Sequence, residues 1–277
     1  MEPLLTCRSV EISFSGRAVV RDVSFSLQKG EILGIAGGSG SGKSSLLRAC
    51  MGLLGNTGRM TRGEILFQGE NISALPERRL RRIRGTGIGM VFQNAAASLC
   101  PVRTIGAQIW ESLRAHEKIS RAQAKERAAS FFERLGLKET ERIWNSFPFE
   151  LSGGMNQRVC IAAAALLKPA VLLADEPTSA LDVIARQQAA QELLRLRDRY
   201  GTAVVLVSHD VGLLSAMADT LLVIEEGRIA EERATVSLAA ASRPDDARRM
   251  PDAALLAGRL PIWYDGADKR SGTGEYR

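Results

Sequence analysis

The stretch Gly37–Ser44, GGSGSGKS, constrains this chain more than any other. It follows EILGIA (Glu31–Ala36), an apolar run that reads as a buried strand. It precedes SLLRACMGLL (Ser45–Leu54), apolar at helical spacing. Strand, glycine loop and helix, with Gly-x-x-x-x-Gly-Lys-Ser at the junction, is the context that a phosphate-binding loop requires. Gly37, Gly40 and Gly42 let the backbone turn its N–H groups inward and approach phosphate closely. The helix behind the loop adds its partly positive end. Lys43 can then reach β- and γ-phosphates, and the Ser44 hydroxyl can ligate Mg²⁺. An ordinary glycine-rich turn is the bland alternative, and it leaves the flanking strand and helix unaccounted for.

The remaining composition narrows the class. A chain of 277 residues, 45% of them hydrophobic, holds one large α/β domain with embellishments or two small ones. No apolar run approaches the about 18–20 residues that span a bilayer. The opening MEPLLTCRSVEIS lacks a secretory apolar region. The expectation is therefore a cytoplasmic protein that meets a membrane only through a partner. Cys7, Cys50, Cys100 and Cys160 are scattered without a Cys-x-x-Cys pair, which favours free thiols over disulfides or zinc. The net charge of +6 is compatible with nucleic acid, anionic lipid or nucleotide. The densest basic run, PERRLRRIRG (Pro76–Gly85), reads as a phosphate-contacting patch or, more simply, as the solvated face of a short helix.

Other strand ends carry chemistry. Residues 1–30 alternate as β-structure, and Phe14 is expected to be exposed at a strand end, where it could stack on a base or pack in a core. GIGMVF ends at Gln93, a candidate Mg²⁺ ligand or water-positioning group, or only a polar strand terminus. Residues 104–145 read as a largely helical insertion, stopped at Gly136. It leads to PFELSGGMNQR, where Ser152-Gly153-Gly154 opens a second helix and a possible second anion site. AVLLADEP ends a buried strand in Asp175-Glu176. The first can hold Mg²⁺ and the second can polarise a water attacking the γ-phosphate, although a helix cap is the simpler use of one carboxylate. TAVVLVSHD ends at His209, one of only two histidines, where the ends of parallel strands face a ligand. A helix is expected over Pro251–Leu260, within a polar and mobile end.

In this order the segments resemble the ATP-binding subunits of ABC transporters, over roughly residues 4–235. GGSGSGKS resembles the Walker A motif, VFQ the Q-loop, LSGGMNQR the family signature, LLADE the Walker B motif, SALD the D-loop and VSHD the switch-histidine loop. The signature points away from kinases, GTPases and helicases. Phe14 falls where the family carries its adenine-stacking aromatic. GRMTRGEILFQGENIS, LRRIRGTGIGMVFQ and SLCPVRTIGAQI look like the peptide and nickel uptake branch. Departures are Gly38 where that branch often has Glu, Cys100 where it often has Asn, and a missing His-Pro-Tyr-Thr segment. No cysteine follows Cys160, so no iron–sulfur cluster is expected.

The resemblance implies an α/β fold: a P-loop NTPase (RecA-like) core with an antiparallel β subdomain and a helical insertion carrying the signature. The β subdomain and core would take residues 1–93 and 160–235, the helical part 94–159, and a C-terminal extension 236–277. ATP would be held by Phe14, Gly37, Gly38, Ser39, Gly40, Ser41, Gly42, Lys43, Ser44 and Ser45, and Mg²⁺ by Ser44, Gln93 and Asp175. Glu176, His209 and Gln93 would serve hydrolysis. Leu151, Ser152, Gly153, Gly154 and Met155 would face the nucleotide of a second ATP-binding subunit, with Ser179, Ala180, Leu181 and Asp182 as the coupling loop. Asn94–Ile105 would help form the groove for a permease helix. The implied partners are two transmembrane permease subunits, a second ATPase subunit and, indirectly, a solute-binding protein, with no nucleic acid. The implied location is peripheral, at the cytoplasmic face of the inner membrane. Cargo would be peptides, nickel or a related metal chelate. A soluble ABC ATPase acting on ribosomes or DNA is the competing class.

Overall fold

The computed structural model describes residues 2–179 and 181–234. Ala180, the expected 236–277 extension and its Pro251–Leu260 helix lie outside the described residues.

The chain opens with β1 (Leu5–Phe14), β2 (Arg17–Leu27) and β3 (Ile32–Ala36), then α1 (Lys43–Cys50). β4 (Gly58–Phe67), β5 (Glu70–Asn71), α2 (Glu77–Ile83) and β6 (Ile88–Val91) follow. A helical run comes next: α3 (Ala95–Ser98), α4 (Ile105–Arg114), α5 (Arg121–Arg134), α6 (Thr140–Asn145) and α7 (Gly153–Ala165). The described part closes with β7 (Val171–Asp175), α8 (Val183–Tyr200), β8 (Ala203–Val207), α9 (Val211–Met217), β9 (Thr220–Glu225) and β10 (Arg228–Ala234).

Two sheets result. One is antiparallel, in the order β2-β1-β4-β5; the other runs β10-β9-β3-β8-β7-β6. Within the second, β9, β3, β8, β7 and β6 are parallel, and only the edge strand β10 is antiparallel. Every residue of β3, β6, β7 and β8 is buried. Strands covered on both faces need apolar side chains on both, so these segments are continuous apolar runs rather than alternating ones. The sheet divides two cores. Leu33, Ile35, Leu173 and Val205 face a cluster shared with α1 and the antiparallel sheet, while Ile32, Leu172, Val204 and Leu206 face the helical side. Each large apolar side chain so buried contributes about 1.5–3 kcal/mol.

The helices between β6 and β7 pack around Phe131, Phe132 and Trp144, all buried. Gly106 on α4 lies against the Trp144 ring: a Cβ there would sit 2.4 Å from it, so only glycine allows this approach. Ser120 and Gln123 form a capping box at the start of α5. Gly136, at φ 81°, ends α5.

Two expectations need correction. α1 stops at Cys50 instead of continuing to Leu54, because Gly52 turns the chain at φ 63° and Leu53 N–H returns to the Arg48 carbonyl at 2.8 Å. Phe14 is half-buried rather than exposed. It pairs with Gly58 on β4, whose missing Cβ would lie 2.6 Å from the ring, and it packs on the core beneath. The basic run forms α2, with no buried residue, and Arg79, Arg81 and Arg84 pair with Glu70 or Glu77.

Candidate nucleotide site

The parallel order brings the C-terminal ends of β3, β6, β7 and β8 side by side, and the segments leaving them carry the polar groups singled out above. After β3, the loop bends through left-handed backbone at Gly37, Gly40 and Gly42, with φ 152°, 78° and 100°. Space is closed as well as φ: a Cβ on Gly37 would lie 2.2 Å from the Ile224 carbonyl oxygen, and one on Gly42 2.8 Å from that of Val19. Gly38 has nothing within 4 Å, so position 38 has room for a side chain.

Lys43 is 6% exposed. Its Nζ donates to the carbonyls of Gly37 at 2.8 Å and Gly38 at 2.7 Å, and to Ser41 Oγ at 3.3 Å. Because a trans peptide points its C=O and N–H in opposite directions, this leaves the following N–H groups facing away from the ammonium. Burial lowers the Lys43 pKa, opposed by the nearby Glu176 and Asp175 carboxylates. A buried cation beside a loop of turned amides suits a polyanion.

Next to it, Ser44 Oγ donates to Asp175 Oδ1 at 2.9 Å. Asp175 is 1% exposed, and burial raises its pKa against the Ser44 hydrogen bond that favours its ionised form. Two hard oxygen ligands at this separation fit a Mg²⁺ ion that keeps part of its water shell. Glu176 sits at φ 46°, an uncommon conformation for a non-glycine residue, pinned by its N–H to the Val207 carbonyl at 3.0 Å. Its Oε2 accepts from Gln93 Nε2 at 3.1 Å and lies 3.4 Å from His209 Nδ1. The His209 side chain is 65% exposed. Groups from three adjacent strand ends thus meet at one carboxylate.

The signature segment stands apart. Ser152 caps α7 through its hydroxyl, which accepts from the Met155 N–H at 3.2 Å, and Gly153 has open space where a side chain would be. Gly154 is pressed against α8, where a Cβ on it would lie only 2.8 Å from that of Ala185. Leu151 is half-buried. Among the described residues, no hydrogen bond or ion pair joins Leu151–Met155 to Gly37–Ser45. Ser179 Oγ donates to the Glu176 carbonyl at 3.1 Å, Leu181 N–H approaches the Thr178 carbonyl at 3.4 Å, and Asp182 caps α8 through Ala185 N–H at 2.8 Å.

Two polar pairs escape sequence reasoning. Arg158 Nε donates to Glu192 Oε1 at 2.5 Å between α7 and α8. Arg186 Nη1 donates to Asp210 Oδ2 at 3.2 Å. The one local signal is an arginine in the first turn of α8, where the helix dipole disfavours a cation.

A family model described as ABC transporter matches residues 20–179. This chain belongs to the ABC transporter ATPase family. The cassette is 40% identical over 240 residues to the probable peptide ABC transporter ATP-binding protein y4tR of Sinorhizobium fredii, covering 85% of this chain and 72% of that one. It is 43% identical over 233 residues to the oligopeptide transport ATP-binding protein OppD of Bacillus subtilis, covering 82% and 65% respectively. The chain thus spans about two thirds of the length of such relatives. Among solved structures, the dimeric post-hydrolysis state of the ATP-binding cassette MJ0796 bound to ADP and Pi matches with TM-score 0.73 and 29% identity, over 83% of this chain and 98% of that one. The cassette cbiO1 from Clostridium perfringens, at 23% identity and TM-score 0.74 over 92% of this chain and 99% of that one, shares the fold.

Proposed function

We propose that this cassette binds and hydrolyses ATP to drive peptide uptake through membrane permease subunits. The observation that carries the reading is the Glu176 carboxylate, hydrogen-bonded by Gln93 and 3.4 Å from His209, beside the glycine loop and the Ser44–Asp175 pair. In this reading the loop N–H groups of Gly37–Ser45 and the Lys43 ammonium hold the phosphates, and Phe14 stacks its free face on adenine. Ser44, Gln93 and Asp175 hold Mg²⁺, which when bound draws charge from the phosphate oxygens. Glu176 accepts a hydrogen bond and then the proton from the attacking water. A bond forms from the water oxygen to the γ-phosphorus while the bond to the leaving ADP oxygen breaks, and His209 contacts the γ-phosphoryl oxygens.

Leu151–Met155 face the nucleotide of a second ATPase subunit, and Ser179–Asp182 lie at the same interface. The open position at Gly153, the separation of this segment from its own loop and the likeness to a dimeric cassette bound to ADP and Pi support this. Residues 1–235 act as the ATPase domain, with about residues 94–159 as its helical part. A cleft of about 200 Å³, lined in part by Ser98, Leu99, Ile105 and Gln108, supports Asn94–Ile105 as a docking groove for a permease helix. Among the described residues no helix is long and apolar enough to cross a membrane. In this reading the cassette works at the cytoplasmic face of the cell membrane through two permease subunits, served by a solute-binding protein. The relatives' names favour peptides over nickel as cargo.

The test is a pull-down from solubilised native membranes, with Glu176→Gln as bait and ATP present, read by mass spectrometry. Recovery of integral membrane subunits is expected, and the accompanying solute-binding protein should bind peptides. Recovery of ribosomal proteins or nucleic acid with no permease would move the protein to the soluble class.

A further inference from the structure

We propose that Arg186 is a positioning residue for His209, acting through Asp210. The inference rests on the reading that His209 contacts the γ-phosphoryl group. Arg186 lies one helical turn beyond Asp182, and its N–H bonds to the Asp182 carbonyl at 2.9 Å. Its guanidinium crosses to the segment after β8, where Nη1 meets Asp210 Oδ2 at 3.2 Å. The other oxygen of Asp210 is already committed, since Oδ1 accepts from Leu213 N–H at 3.0 Å and caps α9. Asp210 N–H donates to Ser208 Oγ at 3.0 Å, and Ser208 N–H to the Ile35 carbonyl at 3.2 Å. His209 is thus held between two residues fixed on either side, and Arg186 supplies the only described ion pair on the Asp210 side.

Stability does not explain this arginine. The pair is 42% and 33% exposed, a setting in which ion pairs contribute little. The guanidinium Nε is buried with no hydrogen-bond partner, which is unfavourable. A cation in the first turn of α8 also opposes the helix dipole. What the contact does supply is a fixed distance between the start of α8, where Asp182 sits, and the loop that presents His209 to Glu176 at 3.4 Å. A strand-end histidine that is 65% exposed has few other constraints on where it points.

The test compares Arg186→Gln, Asp210→Asn, the double variant and Arg186→Lys in the full chain. Asparagine keeps the oxygen that caps α9 and puts an NH2 group, which cannot accept, where Oδ2 meets Arg186. Each single change is expected to lower kcat by about 10- to 100-fold while the ATP dissociation constant stays within about twofold. The double variant should be no worse than either single one, and Arg186→Lys should restore most of the rate. Single variants with normal kcat, or losses that multiply in the double variant, would overturn the proposal. Should Arg186→Gln fail to fold, Asp210→Asn alone decides between these outcomes. His209→Ala is assayed alongside. An intact rate there removes the role of His209 itself, whereas a lost rate with normal Arg186→Gln and Asp210→Asn removes only the positioning.

Discussion

The Gln93 amide donates to Glu176 Oε2 at 3.1 Å, closing a bridge between the ends of the neighbouring parallel strands β6 and β7. Glutamine at position 176 retains an acceptor oxygen for this bridge but cannot take a proton from water. The Glu176→Gln variant should therefore bind ATP normally and turn over about 10²–10⁴-fold more slowly. Nucleotide titration and steady-state phosphate release check this; a parental rate would remove Glu176 from the chemistry.

Lys43 gives its hydrogens to two loop carbonyls and Ser41, so its loss removes both a cation and the brace that orients the loop. Lys43→Ala is expected to weaken ATP binding by about 10- to 100-fold, the scale of a hydrogen bond to a charged group. An unchanged dissociation constant in calorimetry would take the loop out of the site.

Adjacent glycines should behave differently. A methyl group at Gly37 meets the Ile224 carbonyl at 2.2 Å, while one at Gly38 meets nothing. Gly37→Ala should cost about 1–3 kcal/mol and lower Tm, whereas Gly38→Ala should stay within about 0.5 kcal/mol of the parent. Equal unfolding midpoints for the two variants would contradict this geometry.

Glu192 supplies a pH dependence. It is fully buried against Arg158, its second oxygen has no partner, and burial pushes its pKa up to about 7 against the pull of Arg158 and Arg195. The native state then holds this proton more tightly than the unfolded chain. The stabilisation is complete below the ordinary carboxyl pKa of 4.5 and is lost as pH rises through about 7. Glu192→Gln, which can still accept from Arg158, should flatten the fall in unfolding midpoint between about pH 5 and pH 7.5. The same slope in parent and variant would reject Glu192 as its source.

Much of this fold is legible in the sequence because its central strands are buried on both faces and so appear as unbroken apolar runs, each leading into a glycine or a polar residue. The glycine loop, Gln93, Asp175-Glu176 and His209 are visible for that reason. What stays hidden depends on partners distant in the sequence. Phe14 is half-buried because Gly58 on another strand leaves room for its ring. The Arg186–Asp210 and Arg158–Glu192 pairs join elements whose approach is set by the packing of α8, and no local period announces them. The end of α1 is hard to read because apolar spacing continues through Leu53 and Leu54 while Gly52 has already ended the helix.

The left-handed backbone at Glu176 has a further consequence. A side chain there costs about 1–2 kcal/mol that glycine would not. On the reading proposed above, replacing the carboxylate with glycine would relieve this backbone cost and at the same time remove the group that takes the proton from water. A laboratory lineage selected only for surviving heat would be drawn toward that change, and one selected for growth on the cargo would be held from it. On that reading, position 176 is where backbone ease and work are opposed in this chain.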